Sequence, residues 1–72
     1  MNKKTHNIIL KTEFITLGQL LKLAKVVSTG GEVKSYLREN VVIVNNTQED
    51  RRGRKLYKGD VIEVNKNKIQ LK

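Results

Sequence analysis

The chain of 72 residues contains no cysteine. Disulfides and thiolate zinc sites are therefore excluded, stability is left to packing and well-formed caps, and the composition suits a reducing cytoplasm. Long apolar runs are missing as well. Ile8 to Leu10 and Val41 to Val44 fall far short of the roughly 20 residues a membrane span needs, and no signal-peptide core follows the start. A soluble, cytoplasmic protein with no membrane partner is expected. Histidine occurs once, as His6 in a polar stretch, without the convergent partners that catalysis or metal binding requires. The seven acidic residues are scattered and read better as caps, turn residues and solubilising charges than as a general acid and base. The glycines match neither a phosphate loop nor a dinucleotide fingerprint, and no Ser or Lys has an evident base beside it. No enzymatic activity, cofactor, metal or small-molecule substrate is expected. Aromatic side chains are limited to Phe14, Tyr36 and Tyr57, too few for the base stacking by which proteins usually read single strands.

Positive charge, by contrast, is abundant. Fifteen Lys and Arg residues against seven Asp and Glu leave a net charge of +8, which favours a polyanionic partner. Nucleic acid leads over an anionic membrane surface, because neither helical stretch pairs bulky apolar residues with a long cationic face. The length allows one domain with a thin core.

Along the chain, Met1 to Asn7 is polar and aperiodic and reads as a flexible tail, with residues 8–72 as the single domain. Ile8-Ile9-Leu10-Lys11 reads as a short strand. In Ile15-Thr16-Leu17-Gly18-Gln19-Leu20, Thr16 and Gln19 form a capping box and Ile15 and Leu20 occupy staple positions, so a helix begins at Leu17. Leu17, Leu20, Leu21, Ala24 and Val27 recur at helical spacing as its buried face, with Gln19, Lys22 and Lys25 outside. Lys22 and Lys25 either join a basic surface or are simply solvated. Ser28-Thr29-Gly30-Gly31 reverses the chain into a second helix, giving a helix-turn-helix unit.

That second helix has both ends specified. Thr29 is the expected N-cap, Glu32 its capping-box partner, and Asn40 the residue for a left-handed cap. Val33, Tyr36 and Leu37 fall at i, i+3 and i+4 as a buried stripe, leaving Lys34, Arg38 and the glycine-rich start facing outward. Such a start, flanked by cations, suits a phosphate, although an ordinary amphipathic helix with a solvated basic face has the same pattern. Val41 to Val44 reads as a buried strand, and Asn45-Asn46 as a tight turn tolerant of positive φ. Arg51-Arg52-Gly53-Arg54-Lys55, the densest cationic run, reads as a loop or edge ribbon whose planar guanidiniums suit phosphate. Lys58-Gly59-Asp60 is a turn, Val61 to Val64 a strand with Glu63 facing away from its neighbours, and Ile69 to Leu71 a last hairpin arm.

This ordered set resembles the S-four RNA-binding domain, or alpha-L motif. The elements that carry the likeness are the two helices, the Thr29-Gly30-Gly31-Glu32-Val33-Lys34 start, Asn40, Val42-x-Val44-Asn45, the basic segment and Gly59-Asp60-Val61-Ile62-x-Val64. They span about Phe14 to Val64. Ile15 to Gln19 and Gly30 to Glu32 are most similar to the free-standing bacterial branch, the YaaA-like and YbcJ-like proteins. The resemblance implies an α+β fold in which a two-helix helix-turn-helix packs on a small, twisted, mostly antiparallel sheet, and it implies binding of ribosomal or other structured RNA. Where many members carry Arg after the N-cap, this chain has Gly30, so that contact falls to backbone amides or to Lys34. Asn40 and Asn46 replace usual glycines, and Lys58 stands where Pro often precedes Gly-Asp. No synthase, synthetase or methyltransferase domain accompanies the match, so the chain is expected to act by binding.

The resulting expectation is a non-enzymatic, monomeric binder of structured RNA, most naturally ribosomal RNA in ribosome assembly or translation, recognising shape and phosphate spacing. Its candidate residues are Lys22, Lys25, Thr29, Gly30, Gly31, Lys34, Arg38, Asn45, Arg51, Arg52, Arg54 and Lys55. A protein-interaction module docking on an acidic partner and a DNA binder using the helix-turn-helix are the rival readings.

Overall fold

Short-range hydrogen-bonding signals set most of the local structure, and main-chain pairing between distant segments closes it. The computed structural model describes residues 4–72; Met1 to Lys3 lie outside the described residues. In chain order the elements are β1 (Lys4–Ile8), β2 (Ile15–Thr16), α1 (Leu17–Leu23), α2 (Gly30–Glu39), β3 (Val42–Val44), β4 (Thr47–Gln48), β5 (Lys55–Leu56), β6 (Val61–Val64) and β7 (Asn67–Leu71). Five strands form one sheet in the order β1-β7-β6-β3-β4, and β2 pairs with β5 in a separate two-stranded ribbon. Every pairing is antiparallel except β1 with β7. This is the expected α+β architecture.

The helix starts form where the sequence places them. At α1 the Gln19 backbone N–H donates to Thr16 Oγ1 at 3.3 Å, and Gln19 Oε1 accepts from the Thr16 N–H at 3.0 Å. At α2 the carboxylate does more of the capping. Glu32 Oε1 accepts from the N–H groups of Ser28 and Thr29, both at 3.0 Å. The Thr29 hydroxyl donates to Glu32 at 3.3 Å, while the Glu32 N–H turns to the Thr29 carbonyl at 3.2 Å.

The helix ends depart from expectation. The α1 pattern predicts helix through Val27, yet α1 stops at Leu23. Lys25 adopts φ +61°, and its N–H reaches the Lys22 carbonyl at 3.0 Å while the Val26 N–H reaches Leu21 at 2.9 Å. That is a Schellman closure with lysine in the position glycine usually takes. Val27 still reaches the core, from the loop rather than from a helical face. Asn40, expected in the left-handed region, is extended at φ −129° and ψ 153°. It closes α2 differently: its backbone N–H and its Nδ2 both donate to the Tyr36 carbonyl, at 2.9 and 3.1 Å.

Lys4 to Asn7 also correct the expectation of a loose tail. They belong to β1, paired with β7 from Lys4↔Asn67 to Ile8↔Leu71, and the strand expected at residues 8–11 ends at Ile8. Main-chain hydrogen bonds carry this edge, so Thr5, His6 and Asn7 can remain exposed and show no apolar alternation. The other strands do alternate. Val42, Val44, Ile62, Val64, Ile69 and Leu71 face inward and meet Leu17, Leu20 and Leu21 of α1 and Val33 and Leu37 of α2. Glu63 lies on the opposite face from buried Ile62 and Val64. Two hairpins turn on residue pairs with positive φ at both positions, Asn45-Asn46 at 49° and 69° and Asn65-Lys66 at 50° and 67°. Such turns match the strand twist. Among the described residues, no helix is long and apolar enough to cross a membrane.

Candidate nucleic-acid interface

Five cations between Arg51 and Lys58 would repel one another in a free loop, and the structure opposes that repulsion with a buried carboxylate. Glu49 is 6% exposed. Its two oxygens accept from the backbone N–H groups of Asp50 and Arg51 at 3.1 Å each, from Arg51 Nε at 3.0 Å and Nη2 at 3.1 Å, and from Arg54 Nη1 at 2.8 Å. The Arg51 hydrogen bonds, joined by Arg54, outweigh burial and hold the Glu49 carboxyl down at about 2. The same contact raises the Arg51 guanidinium further above its ordinary value. Nothing in the scattered acidic residues singles out Glu49; the only sequence signal is its place just before the cationic run.

Two backbone bonds then fasten the loop to α1. The N–H groups of Leu17 and Gly18 donate to the carbonyls of Arg54 and Arg52, each at 2.9 Å. Helix starts leave such donors without helical partners, and here the loop's own carbonyls take them. The fit at Gly18 is close: a Cβ there would just touch the Arg52 oxygen and Val33 Cγ1, each at 3.4 Å, leaving no room for a side chain larger than a methyl group.

With its backbone pinned, Arg52 sits between the helices. On one side it lines a hollow of about 360 Å³ with Lys34, Leu37, Arg38 and Asp50. On the other it shares a hollow with Gly18, Gln19, Lys22, Gly30 and Val33. Lys34 and Arg38 stand one helical turn apart on α2. Arg51, Gly53, Arg54 and Lys55 border a further hollow on the loop itself.

A family model described as the S4 domain matches residues 8–72 of this chain. The chain belongs to the S4 domain family. It is also 56% identical over 57 residues to the "probable ribosome maturation protein RlbA" of Bacillus subtilis (strain 168), a match covering 79% of this chain and 80% of that protein.

Within this S4 domain the candidate residues divide into groups. Lys22, Gly30, Lys34, Arg38 and Arg52 come together around the two hollows that flank Arg52. Arg51, Arg54 and Lys55 adjoin them, but Arg51 and Arg54 are partly committed to Glu49. Arg51 keeps 73% of its side chain exposed and Arg54 33%. Thr29 serves the α2 cap, and Gly31 follows on the exposed start of that helix. Lys25 lies beyond the end of α1 opposite the loop. Asn45 is occupied elsewhere: its Nδ2 donates to Asp60 Oδ1 at 3.0 Å and its Oδ1 accepts from the Val61 N–H at 2.9 Å. It locks the β3–β4 hairpin to the turn before β6.

Proposed function

We propose that this S4 domain is a non-enzymatic binder of structured RNA, with ribosomal RNA as its partner and a role in ribosome assembly or translation. The observation that carries the reading is Arg52, pinned by its own carbonyl to α1 and flanked by Lys22, Lys34 and Arg38. A set of cations held at fixed spacing can match a phosphate backbone, whereas solvated lysines on a mobile surface cannot. Family membership supports RNA as the ligand, and the ribosome maturation named for the Bacillus relative supports the ribosomal context.

Side chains, more than helix-start amides, make the phosphate contacts on this reading. Glu32 already places its carboxylate on the first turn of α2, which neutralises part of the helix dipole there. Gly30 and Gly31 contribute by leaving room for close approach. Arg51, Arg54 and Lys55 extend the track along the loop, and Lys25, Thr29 and Asn45 act at its margin or through the fold. The protein works in the cytoplasm as a monomer and needs no cofactor.

Binding measured across salt concentrations tests this, with ribosomal subunits, duplex DNA and an acidic protein as ligands. Arg52→Ala and Lys34→Ala should each weaken binding to the subunits and flatten the log-affinity against log-salt slope by about 0.7–0.9 per lost phosphate contact. Lys68→Ala with Lys72→Ala, a larger charge loss on exposed positions, should act weakly. Equal weakening by all variants would reduce the reading to unspecific attraction. Stronger binding to duplex DNA or to the acidic protein would replace it with one of the rival readings.

A further inference from the structure

Two of the three aromatic side chains meet on the surface. Tyr36 packs against the core, but Phe14 is 37% and Tyr57 45% exposed. Their meeting follows from register. Ile15 pairs with Leu56 across the β2–β5 ribbon, and Leu56 is fully buried, so the flanking Phe14 and Tyr57 lie opposite each other on the outer face. The ring centroids are 6.2 Å apart at an interplanar angle of 50°. Lys55 Nζ stands 4.8 Å from the Phe14 centroid, and the Thr12 hydroxyl donates to the Phe14 carbonyl at 2.8 Å, steadying the backbone before the ribbon.

This aromatic ledge is continuous with the cationic surface on two sides. Lys55 lies over Phe14 and also borders the hollow of Arg51, Gly53 and Arg54. Lys22 lines a groove with Phe14 and also the hollow containing Arg52 and Gly30. A strand whose phosphates follow Lys22, Arg52 and Lys55 therefore passes beside exposed rings. Every nucleobase has a π face, so such a ledge accepts a base without reading its identity.

We propose that Phe14 and Tyr57 form a stacking subsite for one unpaired base of the bound RNA, set beside the phosphate-contacting surface. The inference rests on the RNA-binding reading above and adds to it a preference for RNA with a bulged or looped nucleotide at a fixed distance from a helical segment. On binding, Lys55 exchanges its contact with the Phe14 face for a phosphate, and the base takes the face. A purely structural ledge, covering Ile15 and Leu56, would serve equally well with leucine at both positions.

The test uses two RNA hairpins that differ only by a single bulged 2-aminopurine, titrated with the unaltered protein, Phe14→Leu, Tyr57→Leu and Arg52→Ala. The unaltered protein should quench the 2-aminopurine and bind the bulged hairpin about five-fold or more tighter than the plain one. Both leucine variants should lose that advantage and the quenching, while keeping their affinity for the plain hairpin and an unchanged salt slope. Arg52→Ala should weaken both RNAs and flatten the slope. Phe14→Tyr and Tyr57→Phe keep a ring and should restore the bulge preference, which separates stacking from any loss of folding in the leucine variants. If the unaltered protein binds both hairpins alike, with a steep salt slope and no quenching, the subsite is overturned and RNA binding stands. If it binds neither, the RNA-binding reading falls with it.

Discussion

The two helices start from the same sequence device and use it to opposite ends. Thr16 with Gln19 and Thr29 with Glu32 each cap a first turn. At α1 the next amides, Leu17 and Gly18, are closed by the carbonyls of Arg54 and Arg52. At α2 the corresponding amides of Gly30 and Gly31 have no partner among the described residues, and a Cβ on Gly30 would meet nothing within 4 Å. One start is a structural joint that holds the basic loop, and the other is an open floor beside Arg52. The difference shows how one helix-turn-helix divides two tasks: one helix start anchors the cationic loop while the other leaves open space beside it.

The largest expected effect comes from removing the carboxylate that organises the joint. Glu49→Ala should lower stability by about 3 kcal/mol, the upper range for hydrogen bonds to a charged group. It should fall short of the loss for a wholly buried pair, since exposed Arg51 can turn to water. Thermal melts would read this as a fall in midpoint of about 4–8 °C per kcal/mol. Hydrogen exchange sharpens the comparison, because the Leu17 and Gly18 amides should be protected and then lose protection in Glu49→Ala, while Gly30 and Gly31 exchange fast in both. The acid limb follows from the same group. Its folded carboxyl titrates at about 2 against an ordinary 4.5, so its stabilisation is complete above pH 4.5 and is lost as pH falls towards 2. Glu49→Gln should flatten that part of the stability profile.

Gly18→Leu attacks the joint from the helix side. The Arg52 carbonyl and Val33 already stand 3.4 Å from a Cβ at this position, so a larger side chain must push the loop outward, at about 2 kcal/mol. Denaturant unfolding measures it, and a neutral result would mean that the loop is not held against α1.

At the open start, Glu32→Ala should cost about 1 kcal/mol by releasing the Ser28 and Thr29 amides. Thr29→Ala should cost less than half as much, because the hydroxyl only donates to Glu32. Equal losses in thermal melts would show the threonine oxygen to be an acceptor in solution. The smallest effect is a gain: Gly30→Ala fits an empty space on a helical backbone and should stabilise the fold by about 0.5 kcal/mol. If the same change weakens RNA binding, close approach at the open start is confirmed. If binding is unaltered, the side chains of Arg52, Lys34 and Arg38 carry the contact alone.

What the amino-acid sequence determined by itself was the helix starts and the tight turns, whose partners lie within a few residues. The equally local ends of α1 and α2 escaped it, because Lys25 took the left-handed conformation expected of Asn40, and Asn40 is extended. Thr16 and Gln19, Thr29 and Glu32, the Asn45-Asn46 turn, Gly59 at φ +95° in its turn and the alternation around Glu63 are set by steric and hydrogen-bonding rules that act over one turn of chain. The identity of the cationic surface was legible for the same reason, as Arg51 to Lys55 and Lys34 to Arg38 are local clusters. Tertiary structure decided which of those cations share a hollow, that Glu49 is buried beneath them, that Lys4 to Ile8 pair with the far end of the chain, and that Phe14 meets Tyr57. Apart from the Glu49 cluster, whose partners lie within five residues, these features join segments remote in sequence, through main-chain groups common to all non-proline residues or through a register that only the packed core selects. Main-chain donors and acceptors leave no mark in the order of the side chains.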